Sequence, residues 1–284
     1  MSTLLAVPNV SEGRDRAALE ALGAAFRTHA RLLDVHADPD HHRSVFTLAG
    51  SPGTLHEALV AGAREAIERL DIGVHAGEHP RIGVLDVAPI VFLEPEDRGA
   101  ACAEALLAAD ALARELELPV FLYGELADGR TRAELRRGGP QRLAERIAAG
   151  ELKPDYGPRR LHPTAGATLV SARPPLVAFT VVIEGSLDQA KAVAAAIREG
   201  GAEGLPGVRA IGLTLHSQDL VQVSTNIEDH TRTTAADVVD AVRRHAPVAA
   251  AELVALAPRA ALRHFPPDVP LSGARNVIED ALGR

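Results

Sequence analysis

Several stretches of this chain gather side chains able to move protons or hold charge. The segment GVHAGEHPRIG places His75, Glu78, His79 and Arg81 among Gly73, Gly77 and Gly83, with Pro80 fixing the peptide after His79. An imidazole held in a stiff, glycine-punctuated turn beside a carboxylate suits a general base; a solvated polar loop is the plainer reading. A second cluster, DVHADPDHHRS, holds Asp34, His36, Asp38, Asp40, His41, His42 and Arg43. With His75 and His79 it has ligands enough for zinc or iron, the makings of a metal-dependent hydrolase, but no pair follows the one-turn helical spacing of HExxH. A hairpin turn carrying ligand-contacting residues is simpler, and no metal is expected.

A third stretch, KPDYGPRRLHPTAGATLVSARPP, sets Lys153, Arg159, Arg160, His162 and Arg173 among glycines and prolines. Cations collected in one irregular stretch of an acidic protein suit an anionic ligand. Near the start, VPNVSEG puts Asn9, Ser11 and Glu12 between a strand and a helix. Capping of that helix accounts for Ser11 and Glu12 but not for Asn9. In VQVSTNIED, Gln222, Ser224 and Asn226 alternate with other residues, so all three share one strand face.

The elements that must position these residues follow from hydrophobic periodicity. Strands are expected at residues 3–7, 32–36, 44–49, 84–93 and 120–123, with helices at 15–29, 54–70 and 95–116. Residues 124–175 read as a long irregular stretch broken by one short helix near 141–149. The pattern then restarts: strands at 176–183, 208–215, 220–226 and 248–255, helices at 188–199 and 234–245. Each half reads β-α-β-β-α-β, a ferredoxin-like unit with helices on a single sheet face. The expected architecture is α+β: two ferredoxin-like α/β sandwich domains, residues 1–175 and 176–284, whose sheets face each other with the helices outside and the ligand between them.

Composition narrows the function. The net charge of −8 disfavours a nucleic-acid surface or an anionic membrane as partner. No apolar run reaches the roughly 20 residues that span a bilayer. The start, MSTLLAVPNVSEG, lacks the basic region of a secretory leader. Cys102 is the one cysteine, which removes any intramolecular disulfide, and it is expected as a buried thiol in a helix. A cytoplasmic enzyme is the expectation.

Taken together, VPNVSEG, LLDVHADPDHHRSVFTLAGSP, AGEHPRIGVLDVAPI, LPVFLYGE, PDYGPRRLHPTAGAT, LVAFTVVI and LVQVSTNIED resemble the formiminotransferase domain of glutamate formimidoyltransferases and of formiminotransferase-cyclodeaminases. The motifs fall in order across almost the whole chain, and the combination is specific. The resemblance implies transfer of the formimino group of N-formimidoyl-L-glutamate to N5 of tetrahydrofolate, the co-substrate, in a homodimer. It places the catalytic imidazole at His79 and the folate-contacting segment at Gly157, Pro158, Arg159, Arg160, Leu161, His162, Pro163, Thr164, Ala165 and Gly166. Beside these, Asn9, Asp38, Arg43, Glu78, Arg81, Gln222 and Asn226 are candidates for contacting substrates, the arginines for their carboxylates. Thr180 stands where the family commonly has Asn, and Ser171 and Pro175 replace Gly and Phe. These departures leave open another formimino donor, or 5-formyltetrahydrofolate.

Overall fold

The computed structural model describes residues 2–77, 80–215, 220–273 and 276–284. The chain divides into two compact units, Met1–Arg173 and Pro174–Arg284.

In the first unit, β1 (Leu4–Ala6) and β2 (Asn9–Val10) lie end to end around Pro8, which has no N–H for a ladder. Both pair antiparallel with β4 (Arg43–Gly50) on one side and β5 (Leu85–Phe92) on the other. β3 (Arg31–Asp38) forms a hairpin with β4 at the edge. The order β3-β4-β1/β2-β5, with helices α1 (Arg16–Phe26) and α2 (Leu55–Arg69) as crossovers, is the ferredoxin-like arrangement that the periodicity predicts.

Asp15 caps α1 by accepting from the Ala17 and Ala18 N–H groups. Leu22 and Phe26 of α1, Leu55 and Leu59 of α2, and Ala105 and Leu112 of α3 (Arg98–Leu116) meet Leu4, Phe46, Leu48, Ala88 and Ile90 in one core. With so few aromatics, alanines let the helices approach closely. Gly62 shows the fit: a Cβ there would stand 2.0 Å from the Phe26 ring, so the glycine makes room for it. Truncating a side chain as enclosed as Phe26 costs on the order of 3–5 kcal/mol. Cys102 is half-buried on α3 rather than enclosed.

Residues 124–175 are more ordered than their composition suggests. They contain α4 (Arg132–Arg136), α5 (Gly139–Ala148) and a whole strand, β7 (Thr168–Arg173). β7 inserts between β5 and β6 (Val120–Leu122), parallel to both. Five of its six residues are buried, so TLVSAR shows none of the alternation that marks a half-exposed strand. The expectation of helices on a single face also fails here. Leu135 of α4 and Leu143 and Ile147 of α5 pack with Val87, Phe121 and Leu169, whereas α1–α3 pack with Ala88, Leu122 and Val170. Neighbouring strand residues point to opposite faces, so this end of the sheet is covered on both sides.

The second unit has strand order β12-β11-β8-β10-β9: β8 (Val177–Ile183), β9 (Val208–Leu215), β10 (Leu220–Ile227), β11 (Val248–Val254) and β12 (Leu271–Ser272). The first four keep the ferredoxin-like order, with α6 (Leu187–Ile197) and α7 (Ala235–Arg243) as crossovers. Thr234 and Asp237 close a capping box at α7. Phe179, Val181, Val193, Ile197, Val223 and Val239 build this unit's core.

Candidate active site

The β3–β4 turn is stiffened by its own side chains. Asp38 Oδ1 accepts from the N–H groups of Asp40 and His41, and Oδ2 accepts from His41 Nδ1 at 2.5 Å. Burial alone would raise the Asp38 pKa, but the hydrogen bonds and charge of His41 outweigh it and hold the carboxyl lower. A carboxylate can only accept here, so His41 carries a proton on Nδ1. His42 sits at φ +48 and accepts the Gly13 N–H on Nδ1, 3.4 Å from Glu12 Oε1. Its ring stacks on His75 with centroids 4.3 Å apart.

His75 Nε2 donates to the His42 carbonyl at 2.9 Å, since a carbonyl has no proton to give. Its Nδ1 is therefore a bare acceptor, buried without a partner among the described residues. Burial, aided by nearby Arg81 and His42, pushes the His75 pKa down to about 4, so the ring is neutral at physiological pH. Arg81 donates to the Gly77 and His75 carbonyls and so spans the loop. Gly77 lies against the turn: a Cβ there would stand 2.5 Å from the His41 carbonyl oxygen. Glu78 and His79 fall outside the described residues, but the chain just before them is packed on the His41–His42 turn.

A buried ion network lies beside it. Arg43 donates from Nη1 to Asp86 Oδ2 at 2.8 Å and from Nε and Nη2 to Asn9 Oδ1. Arg136 binds the same Asp86 oxygen, and Asp86 Oδ1 accepts the Ile82 N–H at 2.9 Å. Asp86 has 0% exposure, yet Arg136 and Arg43 overcome the burial and hold its carboxyl well below the usual carboxylate range. Burial, with Arg136 and Arg132 nearby, lowers the Arg43 pKa to about 10, still fully charged at neutral pH. The ladder register slips at Asp86, Asn9 facing Val87 and Val10 facing Leu85, a β-bulge that re-aims its side chain. Asn9 is thereby committed: its oxygen to Arg43, an amide hydrogen to the Val7 carbonyl.

The basic segment joins the histidine loop through its backbone. Ile72 N–H donates to the Thr164 carbonyl, Val84 N–H to Ala165, and Ala167 N–H to Ile82. Gly83 and Gly166 pair as an isolated bridge, and His162 Nδ1 accepts the Ala165 N–H at 3.0 Å. Gly157 (φ +82) and Gly166 (φ +73) occupy left-handed backbone, and a Cβ on either would fall within 2.4 Å of a carbonyl oxygen. Leu161 packs against the cluster around Ile82, while Arg159 and Arg160 are exposed. Arg160 stands 3.9 Å from Glu117, and Arg159 makes no ion pair among the described residues. Arg173 is half-buried at the end of β7.

In the second unit Gln222, Ser224 and Asn226 do share a face, opposite the one that packs Val223 against α6 and α7. Gln222 pairs with Val182, Ser224 with Thr180 and Asn226 with Ala178, so Thr180 joins the same polar row. Gln222 is buried, the other two half-exposed. Ser171 donates to the Tyr123 carbonyl at 2.7 Å, which gives this residue a structural role.

One expectation is corrected. Ser11 and Glu12 do not cap α1: Ser11 donates to the Gly83 carbonyl, and Glu12 Oε1 accepts the N–H groups of Gly13, Arg14 and Asp15. The His/Asp cluster binds itself together, and among the described residues no three such groups could hold a metal ion. Asp86 and Arg136 are functional candidates that the sequence reading passed over. The signal was present for Asp86, the one charged residue in an otherwise apolar strand, since a buried carboxylate needs a partner.

Comparison with known proteins fits this geometry. Residues 3–173 match the family model "Formiminotransferase domain, N-terminal subdomain", and residues 178–265 match "Formiminotransferase domain". The formimidoyltransferase-cyclodeaminase of Mus musculus is 38% identical over 275 residues, 90% of this chain and 50% of that protein. The glutamate formimidoyltransferase of Streptococcus pyogenes serotype M1 is 36% identical over 90% of this chain and 89% of its own length. That of Thermoplasma acidophilum is 34% identical over 92% and 90%. The chain spans about half the length of the bifunctional relatives and nine-tenths of the shorter ones. Both of its units are accounted for, and the chain belongs to the formiminotransferase family.

Proposed function

We propose that this protein transfers the formimino group of N-formimidoyl-L-glutamate to N5 of tetrahydrofolate, giving 5-formimidoyltetrahydrofolate and glutamate. One observation carries the reading beyond family membership. The described residues on either side of the loop that carries His79 are stitched by backbone hydrogen bonds to the end of the segment 157–166, so that loop's two ends and the basic segment share one rim of the first unit. Exposed Arg159 and Arg160 suit the anionic glutamate tail of a folate, and the two left-handed glycines let the backbone come close.

Tetrahydrofolate would supply the nucleophilic nitrogen. His79 is the proposed base that removes the N5 proton and returns one to the departing amine, a contribution of about 10²–10⁴ in rate. Arg81 holds the loop against His75 and Gly77, and the His42–His75 stack backs it. We take the polar row of Gln222, Thr180 and Asn226 as a ligand-contacting face of the second unit. The reading includes a cytoplasmic homodimer, which sedimentation equilibrium tests. A spectroscopic assay of tetrahydrofolate with formimidoylglutamate tests the activity. His79→Ala should cut transfer at least about a hundredfold with the fold intact; near-normal turnover would remove His79 from the mechanism.

A further inference from the structure

The Asp86 network holds more positive charge than it neutralises. Among the described residues two guanidinium groups, Arg43 and Arg136, share one carboxylate, and both side chains are only about a tenth exposed. Arg136 Nε is buried with no acceptor, and Tyr123 OH is buried with no partner. Arg132, one turn before Arg136 on α4, lies over the Tyr123 ring, 5.7 Å from its centroid. A buried cation without a counter-charge costs stability, and a fixed donor without an acceptor adds to the cost. Both costs vanish when an anion with two acceptor oxygens arrives.

We propose that Arg136 and Tyr123, with Arg43 behind them, form the subsite for a carboxylate of the amino-acid substrate. Planar guanidinium matches carboxylate in two parallel bonds, and a phenol adds a neutral donor. The small exposure of these groups suits a compact amino-acid carboxylate rather than the extended tail of a folate, for which Arg159 and Arg160 lie in the open. Asp86 is the positioning residue: it fixes both arginines and cancels one of their two charges, leaving the other for the ligand. Asn9, tied to Arg43 through its oxygen, holds the inner arginine in register.

This inference rests on the formimino-transfer reading only for the identity of the amino acid, and the test separates the two. Arg136→Met and Tyr123→Phe are compared with wild type in steady-state kinetics, each substrate varied in turn. The KM for formimidoylglutamate should rise at least tenfold in Arg136→Met and severalfold in Tyr123→Phe, with the KM for tetrahydrofolate within twofold. Glutamate alone should raise the wild-type melting temperature and leave that of Arg136→Met unmoved. Without ligand, Arg136→Met should melt no lower than wild type, because it leaves Asp86 and Arg43 as a balanced pair. Tyr123→Phe, which deletes one hydroxyl, covers the case where the arginine variant fails to fold. A rise in the folate KM instead, or unchanged glutamate binding in folded variants, overturns the proposal. Glutamate binding lost on mutation in a protein without transferase activity would sustain the subsite and remove the catalytic reading.

Discussion

Asp86→Asn tests the network that organises this end of the first sheet. The carboxylate gives one oxygen to the Ile82 N–H and the other to Arg43 and Arg136, and every partner is a donor. An asparagine amide has one acceptor and one donor end, so in either orientation it sets N–H against N–H. It also leaves two buried guanidinium groups without a counter-charge, a change that costs about 3–5 kcal/mol. Against a whole stability of about 5–15 kcal/mol, that is a large share.

The assay follows from composition. The chain has no Trp, and its two tyrosines, Tyr123 and Tyr156, both lie in the first unit. Tyrosine fluorescence during urea unfolding therefore reports that unit alone. The pH dependence adds a second check. Because the folded-state pKa of Asp86 is depressed, its stabilisation is complete above the unfolded value of about 3.9 and is lost as pH falls below it. The gap between wild type and variant should be widest near neutrality and close in acid. A gap under about 1 kcal/mol at pH 7, or one that persists unchanged in strong acid, would refute the charge-balance argument.

Two further outcomes are expected. In an NMR titration the His75 ring should stay neutral until the pH nears 4, while an exposed histidine titrates near its ordinary value of about 6.5. Since unfolding lets His75 take up a proton in that window, acidification from pH 7 towards 4 should destabilise the wild type, and His75→Gln should flatten that slope. Gly166→Ala should cost more than about 1 kcal/mol in the same urea assay, because φ is +73 and the new Cβ would meet the Ile82 carbonyl oxygen at 2.2 Å.

Much of the architecture was legible because most elements are exposed on one side. β3 and α1 show the periodicity of a half-buried strand and helix. β7 was not legible for the opposite reason: buried on both faces, it has no alternation, and its glycine- and proline-rich approach disguised it. The candidate site divides the same way. His75, His79 and the arginines of 159–160 announce themselves by type and setting. The Arg43–Asp86–Arg136 network joins residues 43 and 50 positions apart, drawn from two strands that are not neighbours and from a helix, and periodicity does not encode such tertiary packing.

The placement of β7 has a consequence for synthesis on the ribosome. This strand is the last piece of the first unit to be made, yet it occupies an interior slot between β5 and β6. Until Arg173 has emerged, those two strands present unpaired edges to solvent, a state that invites mispairing or capture by chaperones. The same late arrival means that the rim carrying the histidine loop and the basic segment is drawn together only in the closing step, so a nascent first unit acquires its sheet and its candidate site at one moment.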